Sequence, residues 1–412
     1  MDLVLKNARI AGREADGPTN VAIKDGRIAA VGRDAPAARE TIDLGGALLS
    51  PGFVESHIHL DKSRVFDRAQ LVTGKVPEAF KEVLRLKAGF TPEDVRTRAV
   101  ATLERSILNG VTHMRTHLET DPTVGLRSLD AVLPLIEEYR WAIDIEICIF
   151  PEEGLLDLPG TEELLREGLK RGCRVIGAAP EADKNARGQI DRIFEIAREF
   201  DVDIDMHLDF GETGDDMLIE YVCDKADEFR FGGRVSAAHL TKLSTVPRER
   251  FRAVCKRMAN SGVAATVLPA TDLYLMARTQ EFNVVRGVTP IHLMLAEGVS
   301  SSLATNNVLN PMTPFGDGST TRIMSLYANI AQLWRHADFA TCFDLFTIHP
   351  AKTLKIADYG IAVGKAADLV VLDVPDRAHA VMEIARPTMA FKRGRQTFRR
   401  AEAELKRPAA AR

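Results

Sequence analysis

No apolar run in this chain of 412 residues approaches the roughly 20 residues that cross a bilayer. No basic block is long enough for a nucleic-acid footprint, and the net charge is only −4. The opening stretch, MDLVLKNARI, lacks the charged, apolar and small-residue layout of a signal peptide. Cysteines are few and scattered: Cys148, Cys173, Cys223, Cys255 and Cys342 form no CxxC spacing and are odd in number. A disulfide framework is therefore not expected, and reduced, buried thiols in the cytoplasm are. The expectation is a cytoplasmic protein with a small-molecule partner, no nucleic acid and no membrane. Hydrophobic residues at 45% and charged residues at 27% give an ordinary globular balance.

The first 50 residues read as short strands, and VAIKDGRIAAVG is two alternating runs joined at Asp25-Gly26, a strong hairpin signal. From Pro51 the rhythm changes to strand then helix, repeated. Candidate strands fall at 52–59, 111–117, 143–149, 173–178, 202–208, 234–239, 263–268 and 299–305. Thr91-Pro92-Glu93-Asp94 caps a helix that Gly110 closes, and PGTEELLREGLKRG runs to Gly172 as its terminator. Eight strands alternating with helices is the count of an α/β (β/α)8 TIM barrel. Helices fill roughly 319–356, and strand character returns in GIAVGKAADLVVLDV. Strand-rich segments at both ends are too short to stand alone. Residues 1–50 and 360–412 are expected to pair into one composite β-domain, with the barrel over 51–359. The alanine-rich tail after Lys406 reads as disordered.

In PGFVESHIHLDKS, His57 and His59 are two apart and so share one face of a strand. Alone, such a pair is as consistent with structure as with metal binding. His117, His207 and His239 end three further candidate strands. In a barrel, carboxyl ends of strands converge on one mouth, and imidazoles gathered there serve a divalent metal. His113, His292, His336, His349 and His379 carry no such signal, and Lys62 reads as a loop charge.

The segments PGFVESHIHLDKS, MRTHLETD, FPEEGLLDLPG, DMHLD, AAHLTKLS, NPMTPFGDGS and ADYGIAVGKAADLVVLD together resemble the cytosine-deaminase-like branch of the amidohydrolase superfamily. That resemblance implies one Zn2+ or Fe2+ held by His57, His59, His207 and the strand-eight position. It also implies that His239 contacts the hydrolytic water. Strand four, CRVIGAAP, offers no lysine to bridge a second metal. Two positions depart from the pattern. The strand-eight aspartate is replaced by Asn306, followed by Asn307, and the proton-shuttling glutamate after strand five is Phe210. Three imidazoles and a neutral amide leave the ion's charge uncancelled. Zinc with neutral ligands lowers the pKa of its water to about 7, so a dedicated base is dispensable. The missing acid for the leaving nitrogen then falls to His239, with Glu212 second and Asp209 also near.

Glu152 stands where the branch reads cytosine with a glutamine, and a carboxylate selects NH-rich or cationic partners. Met312 replaces a tryptophan, and Arg278 is placed to meet an anionic group; His117 joins them as a substrate-binding candidate. The expected activity is metal-dependent hydrolysis of a non-peptide carbon–nitrogen bond in a nitrogen heterocycle, by cytosine-deaminase-like deamination. Ring opening of a cyclic amide is the alternative. A catalytically silent ligand-binding barrel, with Asn306 as its cause, is the second class; a structural role in an assembly is the third. A homo-oligomer is a family expectation only.

Overall fold

The computed structural model describes residues 1–401 and 403–406. The tail expected to be disordered after Lys406 lies outside them.

Eight parallel strands follow one another round a sheet: Phe53–Ile58, Val111–Glu119, Asp144–Phe150, Val175–Ala178, Asp203–Leu208, Val235–His239, Val263–Val267 and Ser301–Leu303. Their order in space is their order in sequence, as successive right-handed β-α units require. Almost every strand residue is buried, because helices cover the outer face and side chains fill the interior. That is why these strands read as apolar runs in the sequence. The eighth is shorter than expected. Past Leu303 the chain leaves the ladder, and Asn306 closes the ring through an isolated bridge to Ile58. The Asn306 amide donates to the His57 carbonyl at 2.9 Å, and the His59 amide donates to the Asn306 carbonyl at 3.0 Å. Asn306 does this with φ 64°, a left-handed conformation that asparagine tolerates better than most residues.

The helix Pro92–Leu108 starts as its sequence indicates, with the Thr91 side chain accepting from the Asp94 amide. The span 319–356 holds three helices, Thr320–Ile330, His336–Asp344 and Ile348–Thr353.

The two ends of the chain meet in a second, mixed sheet. Its strands run in the order Arg395–Arg399, Pro387–Lys392, Leu369–Leu372, Leu48–Pro51, Leu3–Ile10, Thr19–Lys24, Arg27–Gly32, with Glu40–Asp43 also paired to Leu3–Ile10. The Asp25-Gly26 hairpin is where the sequence signal placed it. This sheet buries its own apolar cluster, built around Leu5, Ile23, Leu49, Val371 and Phe391. All five cysteines are free and buried. No described helix is long and apolar enough to cross a membrane.

Candidate metal centre and active site

A cavity of about 400 Å3 opens at the carboxyl ends of the barrel strands. His59 from the first strand region, His207 from the fifth and His239 from the sixth line it, with Asn306 beside them. His57 is fully buried behind them.

The Nε2 atoms of His57 and His59 each lie 3.2 Å from Nε2 of His207. Four nitrogens around a tetrahedral ion at about 2.0–2.1 Å are separated by about 3.3 Å, so this spacing is that of ligands to one ion. Burial first, and the positive groups around them second, hold all three imidazoles well below their usual range. They stay neutral, the form that coordinates a metal. The Oδ1 of Asn306 is buried with no hydrogen-bond partner. Asn306 lines the same cavity as His59 and His207, so this amide oxygen is free to join them around a cation. The donor set therefore fits a single divalent ion with nitrogen and neutral oxygen ligands.

Packing fixes these rings. Phe150 lies flat on His207, with centroids 4.7 Å apart and planes 12° apart. Room for Phe150 comes from Gly177 on the fourth strand, where an added Cβ would stand 2.5 Å from Phe150 Cβ and 2.9 Å from the Asp205 carbonyl oxygen. The buried Glu55 carboxylate accepts from the amides of His57 at 3.3 Å and Thr305 at 3.0 Å, pinning the first strand to the end of the eighth. Burial pushes its pKa up to about 7.

His239 is held by a residue absent from the expected set. Its Nδ1 lies 2.6 Å from Oδ1 of Asp272, a wholly buried carboxyl at the helix Pro269–Leu275 that also accepts from the Leu268 amide at 3.2 Å. With the Nδ1 proton committed to Asp272, Nε2 is the free nitrogen of a ring that lines the cavity. Phe210 packs edge-on against it at 5.2 Å between centroids. No sequence spacing links residues 239 and 272; only the fold pairs them.

Lys62, expected as a loop charge, is 2% exposed and lines the cavity. Its Nζ donates to Glu119 at 2.6 Å and to Glu152 at 3.4 Å. Burial lowers its pKa, yet Glu119, Glu152 and Asp61 outweigh it and hold Lys62 charged. Lys87 continues the network, donating to Glu119 at 3.0 Å, Asp121 at 2.6 Å and Glu153 at 2.7 Å. Glu152 therefore reaches the cavity already paired with an ammonium, and the wall presents donor and acceptor side by side.

Three expected site residues lie elsewhere. Glu212 is exposed and spends its carboxylate on the Ala277 amide at 2.9 Å, because the loop after strand five turns outward. Arg278 is exposed and clasps the Gly74 carbonyl at 2.6 Å instead of entering the cavity. His117 is fully buried and stacked on His57, 3.7 Å between centroids, so the metal-centre rings separate it from any substrate. Asp209 is also committed, capping Ile219–Phe229 through the Leu218 and Ile219 amides. Phe210, Glu152 and Met312 do line the cavity.

An amidohydrolase family model matches residues 48–397. The chain belongs to that family. N-isopropylammelide isopropyl amidohydrolase from Pseudomonas sp. strain ADP is 28% identical over 404 residues, covering 96% of each chain. Pterin deaminase from Rhizobium rhizogenes is 26% identical over 344 residues, covering 82% of this chain and 77% of that protein. The crystal structure of 5-methylcytosine deaminase from Klebsiella pneumoniae, liganded with 5-fluorocytosine, superposes with a TM-score of 0.93 at 27% identity, covering 98% of this chain and all of the other. This amidohydrolase is thus a metal-dependent enzyme by family, and its members bind a divalent ion.

Proposed function

We propose that this amidohydrolase removes an exocyclic amine from a nitrogen heterocycle, with His57, His59, His207 and the Asn306 amide oxygen holding one Zn2+ or Fe2+. The observation that carries this reading is the 3.2 Å spacing of three neutral Nε2 atoms beside an unpartnered amide oxygen, in the cavity that His239 and Glu152 share. A bound divalent ion supplies Lewis acidity and lowers the pKa of a water to about 7. The residues do the rest. His239, oriented by Asp272, accepts and returns a proton at Nε2. Glu152 accepts hydrogen bonds from ring or amino N–H groups, and the Lys62 ammonium donates to a ring carbonyl. Met312 and Phe210 close the apolar faces and exclude water from the reacting carbon. This pairing of acceptor with donor favours an amino-oxo ring, the pattern of ammelides, cytosines and pterins, over a purely hydrocarbon-flanked amide.

The test is elemental analysis of protein purified without added metal, with His57→Ala and His207→Ala as controls. Hydrolysis of cytosine, 5-methylcytosine, N-isopropylammelide and pterin is then followed. About one equivalent of zinc or iron, lost in both variants, with amine release from one of these rings is the expected result. Asn306 supports a second reading, a barrel that binds without turning over. A metal-loaded wild type that releases no amine, alongside an Asn306→Asp variant that does, would replace the first reading with the second.

A further inference from the structure

The third carboxyl that lines the cavity has no role in the reading above. Glu152 is paired with Lys62, and Glu153 with Lys87. Glu181, on the short turn Pro180–Ala182 after the fourth strand, makes no salt bridge among the described residues, though Lys242 acts on it from a distance. Its Oε1 accepts from the Asp209 amide at 2.7 Å, and its other oxygen has no hydrogen-bond partner among the described residues. That single bond sets the carboxyl against the backbone immediately before Phe210, with His207 and His239 lining the same cavity. The fifth-strand position itself carries a phenyl ring, which transfers no proton. A carboxyl anchored to that backbone from the neighbouring strand restores what the phenylalanine removes.

We propose that Glu181 is the catalytic acid that protonates the leaving nitrogen. The proposal rests on the amine-releasing reading given above. The balance is R–NH2 + H2O → R–OH + NH3. The water oxygen bonds to the ring carbon, and the C–N bond breaks with its electron pair left on nitrogen. Nitrogen takes the Glu181 proton, and the proton that His239 accepts from the added water is returned to Glu181. Glu181 is solvent-exposed within the open cavity; the protein crowding its carboxyl first, then the Asp209 carboxylate, raise its pKa to about 7 against the opposing pull of Lys242.

The experiment compares zinc-loaded wild type with Glu181→Gln on the amine the wild type releases and on the same ring bearing chloride, which departs without a proton. We expect kcat on the amine to fall 100-fold or more, with KM, zinc content and melting temperature unchanged and chloride release lowered no more than about 3-fold. A second arm adds formate to Glu181→Ala, where a small carboxylic acid in the vacated space returns part of the amine release. Absence of both chloride sparing and formate rescue overturns the role of Glu181 while leaving the functional reading intact. A zinc-loaded wild type that releases no amine removes that reading, and this proposal with it.

Discussion

The barrel gathers histidine and carboxylate at two places, and they are built to opposite rules. Near the amino end of the second strand, His113 stands 3.5 Å from Asp144 and 3.6 Å from Asp368. Lys392 from the terminal sheet donates 2.7 Å bonds to both carboxylates and reaches the Thr112 carbonyl at 3.1 Å. The His113 Nδ1 meets the Thr112 hydroxyl at 3.0 Å. Every charge there has an internal partner, and the cluster joins the barrel to the terminal sheet. At the mouth, by contrast, the convergent Nε2 atoms of His57, His59 and His207 meet only one another, and Oδ1 of Asn306 has no partner. Burying unpaired polar atoms costs free energy that a structural joint avoids and a ligand site recovers on binding. Residue types that look alike in sequence are thus separated by satisfaction: one cluster holds the protein together, the other awaits something.

Breaking each cluster should therefore fail differently. The largest effect is expected from His207→Ala, which removes the nitrogen common to both 3.2 Å contacts. Activity should fall at least about 1,000-fold with the bound metal lost, while the metal-free melting temperature stays close to wild type. Lys392→Met inverts that result. Stranding Asp144 and Asp368 should cost about 3–5 kcal/mol in denaturant unfolding, with one equivalent of metal retained per folded chain. If Lys392→Met stripped metal while sparing stability, the contrast between the two clusters would be wrong.

Asp272→Asn sharpens the comparison within the mouth. Losing the carboxylate that fixes the His239 tautomer should lower kcat about 100-fold and leave metal content unchanged.

The smallest effect is expected from Arg278→Ala, whose guanidinium already holds Gly74; KM should move less than about two-fold.

Much of the fold was legible because barrel strands, covered on both sides, read as unbroken apolar runs between capped helices. Thr91 and Gly110 delimit one such helix in sequence and in space alike. The histidine cluster was legible through His57 and His59, since an i, i+2 pair on a strand has no choice of face. His117 shows the limit of that reasoning. It too ends a barrel strand, yet it lies stacked beneath the centre, because sequence does not say how deep along the strand a side chain sits. Lys62 and Glu181 were missed for a related reason. A lysine after a strand reads as solvated until Glu119 and Glu152 close around it, and Glu181 gains its place only through the amide of Asp209.

The sequence by itself determined the barrel, the terminal sheet and the gathering of histidines at strand ends, because strand periodicity and hydrophobic patterning act over a few neighbouring residues. Tertiary structure alone decided which carboxylates are spent and which are free. Asp209 caps a helix, Glu212 holds a loop, Asp272 orients His239, and Glu181 faces the cavity. Those assignments depend on partners some 10 to 65 residues distant, and a carboxylate's chemistry is set by what it touches.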